Sequence, residues 1–212
     1  MPKQRSSKMT AKSPVEPVIA AIGFRVKSGW ATAILVAGSP QSPRIIDQRI
    51  VELSDPRVSE SRQPYHAGTG MLEPNPLEIS RRTQIVARCA DESVRKLLKD
   101  CRDQGCKPYS AALVVGSLVD PATIANPHIR AHALEGRLFR TVLGNALRAG
   151  GLSCLLVLER RAYAEASAVL GKTEEELKRV VSKLRADQNR PWRADQKIAA
   201  LVGWMALTRG LK

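Results

Sequence analysis

Apolar positions along the chain follow two different periods. In the first quarter they come as short runs: VIAAIG from Val18, WATAILVA from Trp30 after the turn-like Lys27-Ser28-Gly29, and RIIDQRIVEL from Arg44, bounded by Ser39-Pro40 and Asp55-Pro56. Runs of this length between turn residues predict strands, and the short link between the first two predicts a hairpin extended into a three-strand meander. Residues 54–76, SDPRVSESRQPYHAGTGMLEPNP, are too polar and too rich in Pro and Gly for an element and read as a mobile surface loop.

Beyond this loop the period becomes helical. Ile79, Ile85, Val86, Cys89, Val94, Leu97 and Leu98 fall near one face of a helix over residues 77–104, ended by Gly105. Leu134, Leu138, Phe139, Val142, Leu143, Ala146 and Leu147 stripe a second over residues 128–148, stopped by Gly150-Gly151. Between them AALVV from Ala111 predicts a short buried strand. After them Leu155-Leu156-Val157-Leu158 predicts another, buried on both faces as in a parallel sheet. Three helices close the chain: one ended by Gly171, one opened by Thr173 with Glu176 three residues on, and one over residues 194–208. The alternation predicts an α/β fold. In an open α/β sheet ligands bind beyond the carboxyl ends of the strands, so Glu159, at the end of the last strand and followed by Arg160 and Arg161, is placed for chemistry on an anion.

Composition sharpens this picture. The 212 residues fit one domain and a tail, and 43% apolar content with 4% aromatics calls for an aliphatic core. A formal charge of +14 points to a polyanionic partner, nucleic acid before an anionic membrane surface. No apolar run approaches the roughly 20 residues that span a bilayer. Residues 1–17 carry Lys3, Arg5, Lys8 and Lys12 among Ser and Pro without the apolar middle of a secretory signal, and read as a disordered basic arm on a cytoplasmic protein with no membrane partner.

Cys89, Cys101, Cys106 and Cys154 lack the C-x-x-C spacing of a zinc knuckle and read as reduced thiols. His128, His132 and Glu135, at i, i+4 and i+7, share a helix face and offer a metal role, against the commoner exposed or capping role at a helix start. Lys178, Arg179, Lys183, Arg185, Arg190, Arg193 and Lys197 cluster around Trp192. Such cations contact phosphates irrespective of sequence, and an aromatic stacks on an unpaired base. With Arg160 and Arg161 they would ring the mouth of the site; the competing reading is a solvated helix face and a tryptophan packed into the core.

The order of three meandering strands, helix, strand, helix, strand and final helix is similar to that of the RNase H-like fold, and local segments resemble its RuvC and YqgF (Holliday junction resolvase-like) branch. IGFRVKSGWATAIL resembles the first hairpin, VVGSLVD the Val-Val-Gly-Leu-Pro strand end, LLVLERRAYAEASAVLG the strand-Asp-Glu-Arg segment with its helix, and ADQKIAALVGWMAL the closing Asp-x-x-Ala-Ala helix. The resemblance covers roughly residues 19–207. It implies one domain over residues 18–212 with a mixed five-stranded sheet, a three-strand meander plus two parallel strands, flanked by helices.

It also implies two divalent cations, Mg²⁺ or Mn²⁺, about 4 Å apart and held by carboxylates. The matching positions are Glu159 and Asp195 as metal ligands and catalytic residues, with Asp120 as a third catalytic candidate. Where the family has its first aspartate, this chain reads Ile22-Gly23-Phe24-Arg25. The expectation is therefore a protein that binds RNA or branched DNA with its metal site degenerate. One alternative is a Mg-dependent endonuclease acting through Glu159, Asp195 and Asp120. Another is a non-catalytic interaction module whose basic face meets an acidic protein, and assembly as a homodimer is left open.

Overall fold

A computed structural model describes residues 16–68, 70–185 and 190–209, so residues 1–15 of the expected basic arm lie outside the described residues. The chain opens with the meander: β1 (Val18–Lys27), β2 (Trp30–Gly38) and β3 (Pro43–Glu52), paired antiparallel. A two-residue ribbon, β4 (His66–Ala67) and β5 (Met71–Leu72), precedes α1 (Pro76–Asp103). Then come β6 (Cys106–Val115), α2 (Pro127–Ala149), β7 (Ser153–Leu158), α3 (Ala162–Leu170), α4 (Glu174–Lys183) and α5 (Ala194–Arg209). The main sheet has five strands in the order β3-β2-β1-β6-β7, with β1, β6 and β7 parallel.

Local chemistry accounts for the element ends. Both long helices begin at an Asn-Pro pair: Asn75 and Asn126 accept a backbone N–H, and the proline following each is preset for the first helical residue. Thr173 and Glu176 form the capping box read from the sequence. β6 starts five residues earlier than AALVV because its pairing with β1 continues through Pro108 to Cys106, although Pro108 donates no N–H. A shift between Ala20 and Ala21 leaves Tyr109 as the extra residue of a bulge.

Strict alternation along β1 divides the core into two layers. Ala20, Ile22, Phe24 and Val26 pack with Val86, Val94, Leu97, Phe139, Leu143 and Leu147 of α1 and α2. Ala21 turns to the opposite face, with Ile34, Val36, Ala112, Val114 and Val157, under α3, α4 and α5. Residues 198–208 of α5 are buried all round, as expected of a helix with no polar stripe.

Two expectations change. β7 is not buried on both faces: it is the edge of the sheet, Val157 is its one fully buried residue, and Leu156 is 41% exposed. A short apolar run does not distinguish a central strand from an edge. Residues 54–76 carry a 3-10 turn (Ser59–Arg62) and the β4-β5 ribbon, and they are tied down by polar contacts instead of apolar packing. Buried Ser61 accepts from Asp55 N at 2.9 Å and donates to Val58 O at 2.6 Å. From α1, Arg82 donates to His66 O at 2.9 Å and lies 3.1 Å from Glu73.

Candidate functional site

The site forms where α5 crosses β1. Gly23 and Arg25 follow Ala21 on the face of β1 turned to α5, and Asp195, Ala199 and Gly203, four residues apart, share one side of that helix. The approach is so close that a Cβ on Gly23 would lie 1.8 Å from Ala199 O and 2.6 Å from Gly203 N. One step further along the strand, this contact sets Arg25 against the first turn of α5.

Arg25, its side chain 9% exposed, extends Nη2 to within 2.5 Å of Glu159 Oε2, and its Nε lies 3.8 Å from Asp195 Oδ1. Nη1 donates to Val26 O at 3.0 Å. Lys27 Nζ lies 3.3 Å from the same Asp195 oxygen. Glu159 comes from the turn that follows β7, so the guanidinium reaches past β6 to meet it. The two acids picked out in the sequence thus converge, and what lies between them is an arginine.

Asp120 does not join them. It caps the 3-10 turn Pro121–Thr123 through Ala122 N, and its Oδ1 is 3.6 Å from Arg137 on α2. Beside Arg25 a cleft of about 290 Å³ opens between the ends of β1 and β6 and the middle of α2, with Arg25, Lys27, Gly116, Ser117, His132 and Arg140 among its lining residues. Arg140 donates to Ser117 O at 3.2 Å, which fixes it on the cleft wall.

The remaining basic residues spread over a wider surface than one mouth. Arg160 and Arg161 are exposed at the end of β7, the latter 3.8 Å from Glu165. Arg179 and Lys183 are exposed on α4, and Lys178 lies 3.7 Å from Glu174 and 5.5 Å above the Tyr163 ring. Arg185 donates to Arg190 O at 3.2 Å, and Arg190 donates to Gln48 O on β3 at 2.7 Å. β3 and β7 are opposite edges of the sheet, four strand spacings or about 19 Å apart. Arg193 is exposed just before α5, and Lys197 is half-buried in its first turn. Trp192 is half-buried against the α3-α4-α5 layer, its indole N–H donating to Val181 O at 2.9 Å.

His128 and His132 share a face of α2 as the spacing predicts, and a third histidine that sequence reading passed over joins them. His66 arrives from the β4-β5 ribbon, its ring centroid 4.4 Å from that of His132 and 5.3 Å from that of His128. His66 Nδ1 is 2.6 Å from Oε1 of Glu135, which is 0% exposed. Burial pushes the Glu135 carboxyl up from its ordinary value, with the His66 hydrogen bond opposing. His132 is pulled down by burial and by the imidazoles of His66 and His128. The signal in the sequence was the count: the chain has three histidines and all of them meet here. The four cysteines are free, and burial pushes the Cys101 thiol up to about 11, the behaviour of a core residue and not of a thiolate ligand.

No protein-family model matches the chain, and no curated protein matches it. Solved structures do. RuvC of Thermus thermophilus in complex with a Holliday junction substrate superposes with a TM-score of 0.54 at 12% identity, over 92% of this chain and 95% of that one. RuvC of the same organism in a second structure gives 0.53 at 12% identity over the same shares. The yeast mitochondrial Holliday junction resolvase Ydc2 gives 0.46 at 12% identity, over 94% of this chain and 84% of that one. The chain therefore has the RNase H-like fold expected of it, with the mixed five-stranded sheet flanked by helices. Among the described residues no helix is long and apolar enough to cross a membrane.

Proposed function

We propose that the protein binds structured nucleic acid, branched DNA or folded RNA, through the basic crevice at the carboxyl ends of β1, β6 and β7, and that its acidic pair no longer holds the divalent metals of a RuvC-type nuclease. The observation that carries this reading is the position of Arg25, 2.5 Å from Glu159 and 3.8 Å from Asp195. Mg²⁺ gathers about six oxygens at roughly 2.1 Å. Here two carboxylates are already matched by a guanidinium and, at Asp195, by the Lys27 ammonium at 3.3 Å. Bringing a divalent cation to this place would set it against a buried positive charge, and the residues present do not fit it.

What is left is a cation-lined crevice. Lys27 and Arg140 stand at the cleft, Arg160 and Arg161 flank the end of β7, and the whole chain carries a formal charge of +14. Phosphate groups are the natural counter-charge, and their binding needs no metal. That one structural neighbour is a RuvC in complex with a Holliday junction substrate supports a branched substrate in the same crevice.

The test is a binding and cleavage assay with a four-way DNA junction, a folded RNA hairpin and linear duplex. The expected result is tighter binding of a structured probe than of duplex, falling steeply with salt, weakened in Arg160→Ala/Arg161→Ala, and unaccompanied by cleavage in Mg²⁺ or Mn²⁺. Cleavage that vanishes in Glu159→Gln would overturn the degenerate site. Salt-insensitive or absent binding to all three probes would overturn the nucleic-acid reading.

A further inference from the structure

We propose that His66, His128 and His132 form a site for one transition-metal ion of the zinc class, separate from the Glu159 and Asp195 pair. Each residue can offer one ligand atom such that all three atoms lie within 4.8 Å of one another. His128 and His132 present Nε2 atoms 3.3 Å apart. That separation matches two imidazole nitrogens on one tetrahedral zinc, where bonds of about 2.0–2.1 Å give an edge of roughly 3.3 Å.

The hydrogen bonds fix which nitrogens are free. His128 Nδ1 is 2.6 Å from Gly70 O, a carbonyl that only accepts, so the proton sits on Nδ1 and the lone pair on Nε2. His66 Nδ1 is held by the Glu135 carboxylate at 2.6 Å, which leaves its Nε2 as the acceptor. This Nε2 is buried without a hydrogen-bond partner on a side chain 6% exposed. A lone pair kept dry and unmatched is costly in a folded protein, and a metal ion would satisfy it.

Carboxylate-histidine and carbonyl-histidine pairs of this kind orient the ligands of metal sites. Glu135 supplies the first, with its second oxygen 3.6 Å from His132 Nδ1, and the carbonyl of Gly70 the second. The ribbon that brings His66 is pressed against the same cluster: a Cβ on Gly70, whose φ is +89°, would lie 3.3 Å from the His128 ring. Three imidazoles favour zinc, cobalt, nickel or copper over Mg²⁺, which prefers oxygen. With three protein ligands the fourth position stays open. Because His132 also lines the cleft beside Arg25 and Arg140, that position is supplied from the cleft, by water or an anionic oxygen.

The experiment uses the full chain stripped with a chelator and titrated with Co²⁺, read by visible d-d absorption, followed by displacement with Zn²⁺. The expected result is one Co²⁺ per chain with the intense bands of a tetrahedral site, loss of those bands on adding one equivalent of Zn²⁺, and no effect of Mg²⁺. His128→Gln and His132→Gln alter exposed side chains, so both variants should keep the thermal midpoint of the stripped protein. Each should bind at least tenfold more weakly, and Glu135→Gln, which removes an orienting partner, roughly 10–100-fold more weakly. Absence of the bands in the wild-type chain, or wild-type affinity in either histidine variant, would overturn the proposal.

Discussion

A guanidinium and a divalent ion neutralise carboxylates in different ways. The metal collects oxygens around a point, whereas Arg25 spreads its donors in a plane: Nη2 donates to Glu159 and Nη1 to the Val26 carbonyl, while Nε, buried without a hydrogen-bond partner, lies 3.8 Å from Asp195. Replacing that one residue should be enough to change the chemistry of the pair. Arg25→Asp would leave three carboxylates facing one another, and we expect its thermal midpoint to rise with Mg²⁺ while the wild type's does not. A hundredfold excess of Mg²⁺ over Kd would add about 2.7 kcal/mol, or roughly 5–10 °C for a domain of this size. Equal shifts in the two proteins would count against a vacated metal site. A second residue prediction concerns Asp55, whose carboxylate is held down to about 2 from 3.8 by the Arg57 side chain and backbone N–H. A carboxyl group lowered on folding stabilises the native state above its unfolded pKa and loses that contribution as pH falls. Denaturation midpoints should therefore decline between about pH 4 and pH 2, and Asp55→Asn should flatten this part of the profile.

Elements were legible in the sequence where their period was strong, and the failures have definite causes. The meander, both long helices and the capped α4 sit within a few residues of the expected bounds, because apolar spacing and Asn-Pro, Thr-Glu and Gly signals are local. β7 was placed correctly and its burial was not, since edge or centre is decided by strand order. Glu159 and Asp195 could be found through the resemblance, but the contact of each with Arg25 required β1, β7 and α5 together. His66 escaped because α1 and β6 separate it in sequence from its partners, and its own segment shows no period. The β1-α5 contact also makes a prediction. Gly23→Ala would drive a methyl group to 1.8 Å from the Ala199 carbonyl, so α5 must move outward. Overpacking of this kind costs about 1–3 kcal/mol or more, and urea denaturation should show it as a lowered midpoint. An unchanged midpoint would mean that α5 is not seated on that glycine.

On the scale of the whole molecule, the charge is arranged as separate patches. If the proposed nucleic-acid surface includes them, the Arg160 and Arg161 pair at the β7 end and the Arg179 and Lys183 pair on α4 would each contribute two phosphate contacts. Each double alanine variant is expected to reduce the slope of log K against log salt by about 1.8 on duplex regions, from two contacts at roughly 0.9 each. A slope unchanged in both variants would place the nucleic-acid surface elsewhere. The seat of α5 on Gly23 bears on ancestry as much as on packing. A side chain at position 23 would meet the backbone of residues 199 and 203, and one at 203 would meet Gly23 in turn, so the two glycines constrain each other whatever stands at 25 and 195. Relatives that keep this seat of α5 on β1 should then carry glycine at both positions.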